Sequence, residues 1–304
     1  MSIYRIDDRV LAFTPTGPQT WTLDGGSSGT PVGGMSRNSY NYINSLYYHA
    51  IGDGNENTNV ATWIGRFAAA APTPNVFSQS GEFGFFSQWL TPPRINEVRQ
   101  WGPAGSINRV CFVPDNFDGQ SRDPSEGRVG AFDGQAYTPF LTGIVDAWQA
   151  NAPNAGRVYY VYAGSPSLGA HGGTGDDPAT VTPAQFAAWV SYGLGAYNTW
   201  MELLVSQLQA ARPALSFRLH NVNRATLLAF QNTVVGTIPA AVLFEDLAPH
   251  GRPTWYCLKA IAEYVELYDE KPPAITFNPA WGVSAVLVDN FTAVVDYIWG
   301  VLRP

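Results

Sequence analysis

From Ser39 onward, short apolar runs alternate with longer stretches of helical period, and this alternation limits the possible folds more than any other feature. Ser39–Asn44, Asn75–Ser78, Arg109–Pro114, Val158–Ala163 and Ser216–Asn221 are short, rich in β-branched, aromatic or other apolar residues, and bounded by turn residues. Such runs read as strands, and Ala240–Phe244 reads as a further one. Between and after them, Thr58–Ala71 repeats apolar residues at helical spacing and stops before Pro72. Thr182 followed by Pro183 is an N-cap with proline at the first helical position, opening a long helix towards Ala211. Arg252–Tyr268 and Asp289–Leu302 complete the helical set. Strands separated by helices make parallel βαβ units. The expectation is a three-layer α/β/α sandwich of flavodoxin-like type, with a mainly parallel central sheet of about five strands.

Residues 1–38 differ in character. Gly, Pro, Thr and Ser dominate, as in Gly25-Gly26-Ser27-Ser28-Gly29-Thr30-Pro31, with one short strand expected around Thr20–Leu23. The predicted organisation is a loop-rich extension over 1–38 and a single domain over 39–304. Two long Gly- and Asp-rich loops, Asp115–Asp133 and Gly164–Pro178, come after predicted strands. That is where parallel sheets build their sites.

Composition narrows the function classes. Apolar residues are 45% of the 304 and charged residues 13%, which suits a buried core and not a disordered chain. A net charge of −7 with no basic run disfavours nucleic acid as a partner. No stretch approaches 18 apolar residues, so no membrane span is expected, and Met1–Asp8 lacks the apolar segment of a signal peptide. The expectation is a soluble protein of open compartment. Ten Trp and 15 Tyr either pack the core or line a groove for sugars and other flat ligands. Cys111 and Cys257 sit among apolar neighbours and read as buried thiols. No metal-ligand spacing is present, and no cofactor is expected.

Histidine is scarce: His49, His171, His220 and His250. His250 stands out in Phe244-Glu245-Asp246-Leu247-Ala248-Pro249-His250-Gly251-Arg252-Pro253, where two carboxylates and a short loop precede the histidine and a helix comes after it. A carboxylate a few residues ahead of a histidine can hold its ring in one tautomer and stabilise the imidazolium. A polar loop capping the helix is the plainer alternative.

In the order and spacing of these blocks, residues 39–270 resemble the SGNH (GDSL-like) serine hydrolases. The stretch EDLAPHGRPTWYCLKAIAEYVELY is similar to the acid–base loop and final helix of a bacterial branch of that family. The resemblance implies Asp246 as the acid, with Glu245 as the other candidate, and His250 as the base. Asn44-Ser45-Leu46 matches the end of a GNSL block whose glycine is replaced by Ile43, which makes Ser45 the implied nucleophile and leaves Ser36 and Ser39 as rivals. Gly81, in Ser80-Gly81-Glu82-Phe83-Gly84, and Asn116, after the Arg109–Pro114 run, match the oxyanion-hole blocks.

The resemblance therefore implies a serine esterase acting on a small-molecule or carbohydrate ester, with O-deacetylation of a carbohydrate favoured by the aromatic content. The alternative, raised by Ile43, is a catalytically inactive protein of the same fold that binds glycans or plays a structural part.

Overall fold

Backbone pairing begins close to the N-terminus. The computed structural model describes residues 2–6, 9–14, 20–23, 28–29, 39–44, 60–72, 78–83, 90–92, 95–96, 109–113, 137–151, 158–162, 165–166, 168–169, 174–247 and 250–304. Four strands, β1 (Ser2–Ile6), β2 (Arg9–Thr14), β3 (Thr20–Leu23) and β4 (Ser28–Gly29), pair antiparallel in that order. The strand expected around Thr20–Leu23 is β3, and it has three companions the sequence did not suggest. Ile6 pairs with Arg9, so β1 and β2 form a tight hairpin. In the sequence, the charged residues Arg5, Asp7, Asp8 and Arg9 hide the strand pattern on either side of them.

A second sheet comes next along the chain. β5 (Ser39–Asn44), β6 (Ser78–Phe83), β7 (Arg109–Val113), β8 (Val158–Tyr162) and β9 (Ser216–His220) pair in the order β6-β5-β7-β8-β9, and each pair is parallel. The helices are α1 (Val60–Ala70), α2 (Tyr137–Asn151), α3 (Pro183–Leu194), α4 (Ala196–Ala211), α5 (Val222–Asn232), α6 (Ala240–Leu243), α7 (Pro253–Tyr268), α8 (Ala285–Asp289) and α9 (Phe291–Leu302). The chain is of the α/β class. Among the described residues, no helix is long and apolar enough to cross a membrane.

Three elements differ from the sequence reading. The second core strand begins at Ser78, where the expected one ends, and runs on through Gln79, Ser80, Gly81 and Glu82. Polar residues and a glycine carry no strand signal, but β6 is an end strand of the sheet order, where they are tolerated. Ala240–Phe244, read as a strand, is the short helix α6 ending at Leu243. Its buried residues, Ala240, Leu243 and Phe244, have the i, i+3, i+4 spacing of one helical face, and Pro239 stands at the N-cap.

The third difference is the helix opened by Thr182. The cap itself is present as a capping box, in which the Thr182 hydroxyl accepts from the Gln185 backbone N–H at 3.3 Å and the Gln185 side-chain Oε1 accepts from the Thr182 backbone N–H at 2.8 Å. The helix does not reach Ala211 unbroken, because it stops at Gly195 (φ −97°, ψ −103°) and restarts as α4.

That break separates two packing groups. Phe186 and Trp189 of α3 belong to a core with Trp63, Phe67, Phe230, Trp255, Tyr160 and Tyr162. Tyr197, Trp200 and Met201 of α4 belong to another with Trp148, Phe112, Phe217, Tyr159 and Val161. Successive residues of β8 thus enter different cores, as the two-residue period of a strand requires when both its faces are covered. Trp63, Trp148, Trp189, Trp200 and Trp255 are all buried, so half of the ten tryptophans are spent on core packing.

Candidate active site

The acid–base loop is built upward from its floor. Leu243 and Phe244 are fully buried, and the Phe244 ring lies 4.8 Å from that of Trp255 and 5.5 Å from that of Trp189. From this anchor the chain leaves α6, carries Glu245, Asp246 and Leu247, and returns through His250 and Gly251 to α7. Its two limbs are tied together: Arg252 N–H donates to Leu243 O at 2.7 Å, and Glu245 N–H to His250 O at 2.8 Å. The Arg252 Nε–H closes the base further by donating to Phe244 O at 2.9 Å.

Gly251 is required by contact and not by its φ. A β-carbon there would stand 2.6 Å from the Trp255 and Tyr256 rings, far inside van der Waals contact. The gap lets the Gly251 amide donate to the Tyr256 hydroxyl at 3.0 Å. The first turn of α7 therefore fixes the residue next to His250.

Within this frame Asp246 holds His250 twice. Its Oδ1 accepts from the His250 backbone N–H at 2.9 Å, and its Oδ2 faces the His250 Nδ1 within hydrogen-bond reach. The imidazole side chain is 40% exposed and the carboxylate 22%, so the pair sits at the surface with its ring accessible. An Nδ1–H given to the carboxylate leaves Nε2 as the basic nitrogen, on the far side of the ring. Of the two candidate acids, Asp246 makes these contacts. Glu245 is exposed and meets His250 through its backbone amide.

The loop is also held from outside. Leu247, the residue after the acid, accepts from the Leu168 amide at 2.9 Å and donates its own amide to Asp176 Oδ1 at 3.2 Å. Leu168 and Asp176 lie in the segment that leaves the C-terminal end of β8. Because all the β5–β9 pairs are parallel, this is the same sheet edge at which β5 and β7 end, Asn44 being paired with both Phe83 and Val113. The Asp246–His250 loop is thus hydrogen-bonded to the segment that comes after β8.

Compared with known protein families and with characterised proteins, the chain has no significant match.

Of the remaining expected site residues, Ser45, Ser36 and Asn116 lie outside the described residues, as do His49 and His171. Ser39 opens β5 and pairs with Ser78, at the opposite end of the strand from Asn44. Ile43 lies inside β5, level with Glu82 and Phe112, where a β-branched residue is favoured and no tight turn has to be made. Gly81 is not in a turn after a strand. It sits within β6 opposite Tyr42, two residues ahead of the strand's last residue, because β6 begins three residues later than the sequence suggested.

His220 proves to be a core residue. It ends β9, 2% exposed, between the rings of Tyr160 and Tyr162, with Nε2 3.4 Å from Glu263 Oε1. Glu263 and Lys259, one turn apart on α7, are both fully buried. Burial pushes the Lys259 ammonium down to about 7, against the opposing pull of Glu263. Cys257, also on α7, is a buried free thiol whose pKa burial raises, Arg66 opposing. The Cys111 side chain lies outside the described residues. Asp176 has no signal of its own in the sequence, although the Gly- and Asp-rich character of Gly164–Pro178 marks its loop.

Proposed function

We propose that this chain is a serine esterase of the SGNH type, hydrolysing carboxylic esters by acyl transfer. The observation that carries the reading is the double hold of Asp246 on His250. In the proposed mechanism Ser45 Oγ bonds to the ester carbonyl carbon while His250 Nε2 takes its proton, and Asp246 stabilises the imidazolium. The tetrahedral intermediate expels the alcohol, which leaves with that proton. Water then repeats the sequence on the acyl-enzyme, releasing the acid and restoring Ser45.

Of the two proposed oxyanion donors, Asn116 fits better. Both β6 and β7 flank β5, but Asn116 comes after the end of β7 in sequence, whereas Gly81 lies two residues inside β6. Ile43 is compatible with a nucleophile at Ser45, since it continues β5 without a turn. A three-layer α/β/α sandwich with a mainly parallel central sheet belongs to the same reading. It is supported by the parallel pairs and by the separate helix groups that receive the two faces of β8. Carbohydrate O-deacetylation loses part of its support, because five of the ten tryptophans that suggested a sugar groove are core residues. The proposed substrate class is a carboxylic ester.

The test combines p-nitrophenyl acetate turnover with labelling by a fluorophosphonate, then peptide mapping. Turnover, with label on Ser45 that disappears in His250→Ala, is the expected result. Label on Ser36 or Ser39 would move the nucleophile and keep the mechanism. Neither label nor turnover would favour a ligand-binding protein that keeps the fold without the chemistry.

A further inference from the structure

The segment after β8 does more to the acid–base loop than lie beside it. The peptide that joins Asp246 to Leu247 presents its N–H to Asp176 Oδ1, and the next carbonyl, that of Leu247, accepts from Leu168. Both hydrogen bonds are made one residue from the carboxylate that holds His250. Holding that peptide restrains the backbone of Asp246, from which its carboxylate reaches the ring, so the two bonds steady the carboxylate beside His250.

Asp176 is itself held for this task. Gly175 and Asp176 are consecutive left-handed residues, φ 65° and 59°, in a turn whose ends, Thr174 and Asp177, form an isolated bridge. Left-handed backbone costs a non-glycine residue of order 1 kcal/mol and persists where the surroundings over-determine it. They do so here. The Thr180 hydroxyl accepts from the Thr174 amide at 2.9 Å and lies 2.6 Å from Asp177 O, while Asp177 caps the next 3₁₀ turn through the Ala179 amide at 2.9 Å. The carboxylate of Asp176 is exposed, yet it is aimed at an amide 71 residues away in sequence.

We propose that Asp176 is a positioning residue for the Asp246–His250 pair, acting through the Leu247 amide. The consequence for rate rests on the esterase reading, whereas the consequence for the Asp–His hydrogen bond does not.

Two substitutions separate the hydrogen bond from the turn. Asp176→Gly keeps the left-handed turn and removes the acceptor, while Asp176→Asn keeps a carbonyl acceptor and a residue tolerant of that conformation. The first measurement is the downfield proton resonance of His250 Nδ1–H, and the second is kcat and KM for p-nitrophenyl acetate. In Asp176→Gly the resonance should move upfield or broaden away and kcat should fall about tenfold at unchanged KM, with the melting temperature kept within a few degrees. Asp176→Asn should restore the resonance and most of the rate, which a merely structural turn residue would not require.

A parent-like resonance in Asp176→Gly overturns the proposal, whatever the rate. If the parent shows no turnover but its resonance responds to Asp176→Gly and recovers in Asp176→Asn, the positioning role stands and the esterase reading falls.

Discussion

Gly251→Ala is the sharpest test of how rigidly the acid–base loop is seated. The new methyl group would lie 2.6 Å from atoms of two rings, Trp255 and Tyr256, which are 0% and 2% exposed and belong to the first turn of α7. Carbon–carbon contact needs about 3.5–4.0 Å, so the rings or the loop must give way by roughly 1 Å. Overpacking of this kind costs about 1–3 kcal/mol. The same movement strains the buried bond from the Gly251 amide to the Tyr256 hydroxyl, 3.0 Å long, whose loss adds about 1–3 kcal/mol. The combined loss is about 2–6 kcal/mol. Urea unfolding monitored by fluorescence should show the midpoint falling by about 1 M or more at unchanged slope. The His250 Nδ1–H signal should shift with it, because residue 251 adjoins the base. A loss of less than about 0.5 kcal/mol would refute the reasoning, since it would mean that the floor of the loop yields freely.

Asp246→Asn should lower kcat for p-nitrophenyl acetate by about 10⁴, because the amide favours the wrong tautomer of His250, while Glu245→Gln should stay within twofold; a steady-state comparison of the two variants decides which carboxylate is the acid. Lys259→Met should change how stability depends on pH. In the folded protein Lys259 is deprotonated above about 7, while in the unfolded chain it keeps its proton up to its ordinary value of 10.5. Between those limits the unfolded state binds more protons, so this lysine makes stability rise with pH across the window and contributes no slope below it. Urea midpoints from pH 7 to 10 should show a shallower rise in the variant than in the parent, and identical slopes would count against the burial of that ammonium.

What could be read from the sequence was local. β5, β7, β8 and β9 announce themselves by β-branched and aromatic runs, and the Asp246–His250 pair by two groups four residues apart on one loop. Where tertiary context decides, the reading failed. Ala240–Phe244 is apolar enough for a strand, and its helical form depends on a core that receives Ala240, Leu243 and Phe244 from one side. The unbroken periodicity from Pro183 to Ala211 conceals the break at Gly195, which is needed because the two halves serve different cores. β6 is marked by its partner β5 and not by its own polar residues. The Asp176–Leu247 bond joins residues 71 apart and has no local signature. Lys259 and Glu263 look like the solvated face of a helix, yet α7 is covered all round, so both are buried.

That coverage also sets an order of events for a chain emerging from the ribosome. α7 is packed by α1, α5 and α9, and the last of these is made some twenty residues after α7 itself ends. Domains begin to fold from the N-terminal side during synthesis, but the helix that seats His250 cannot finish its burial until Val294, Val295 and Ile298 have arrived to close over it. Its acid–base loop is therefore fixed only after α9 has been made. A chain ending before residue 291 would leave the side of α7 that meets Val294, Val295 and Ile298 without its cover.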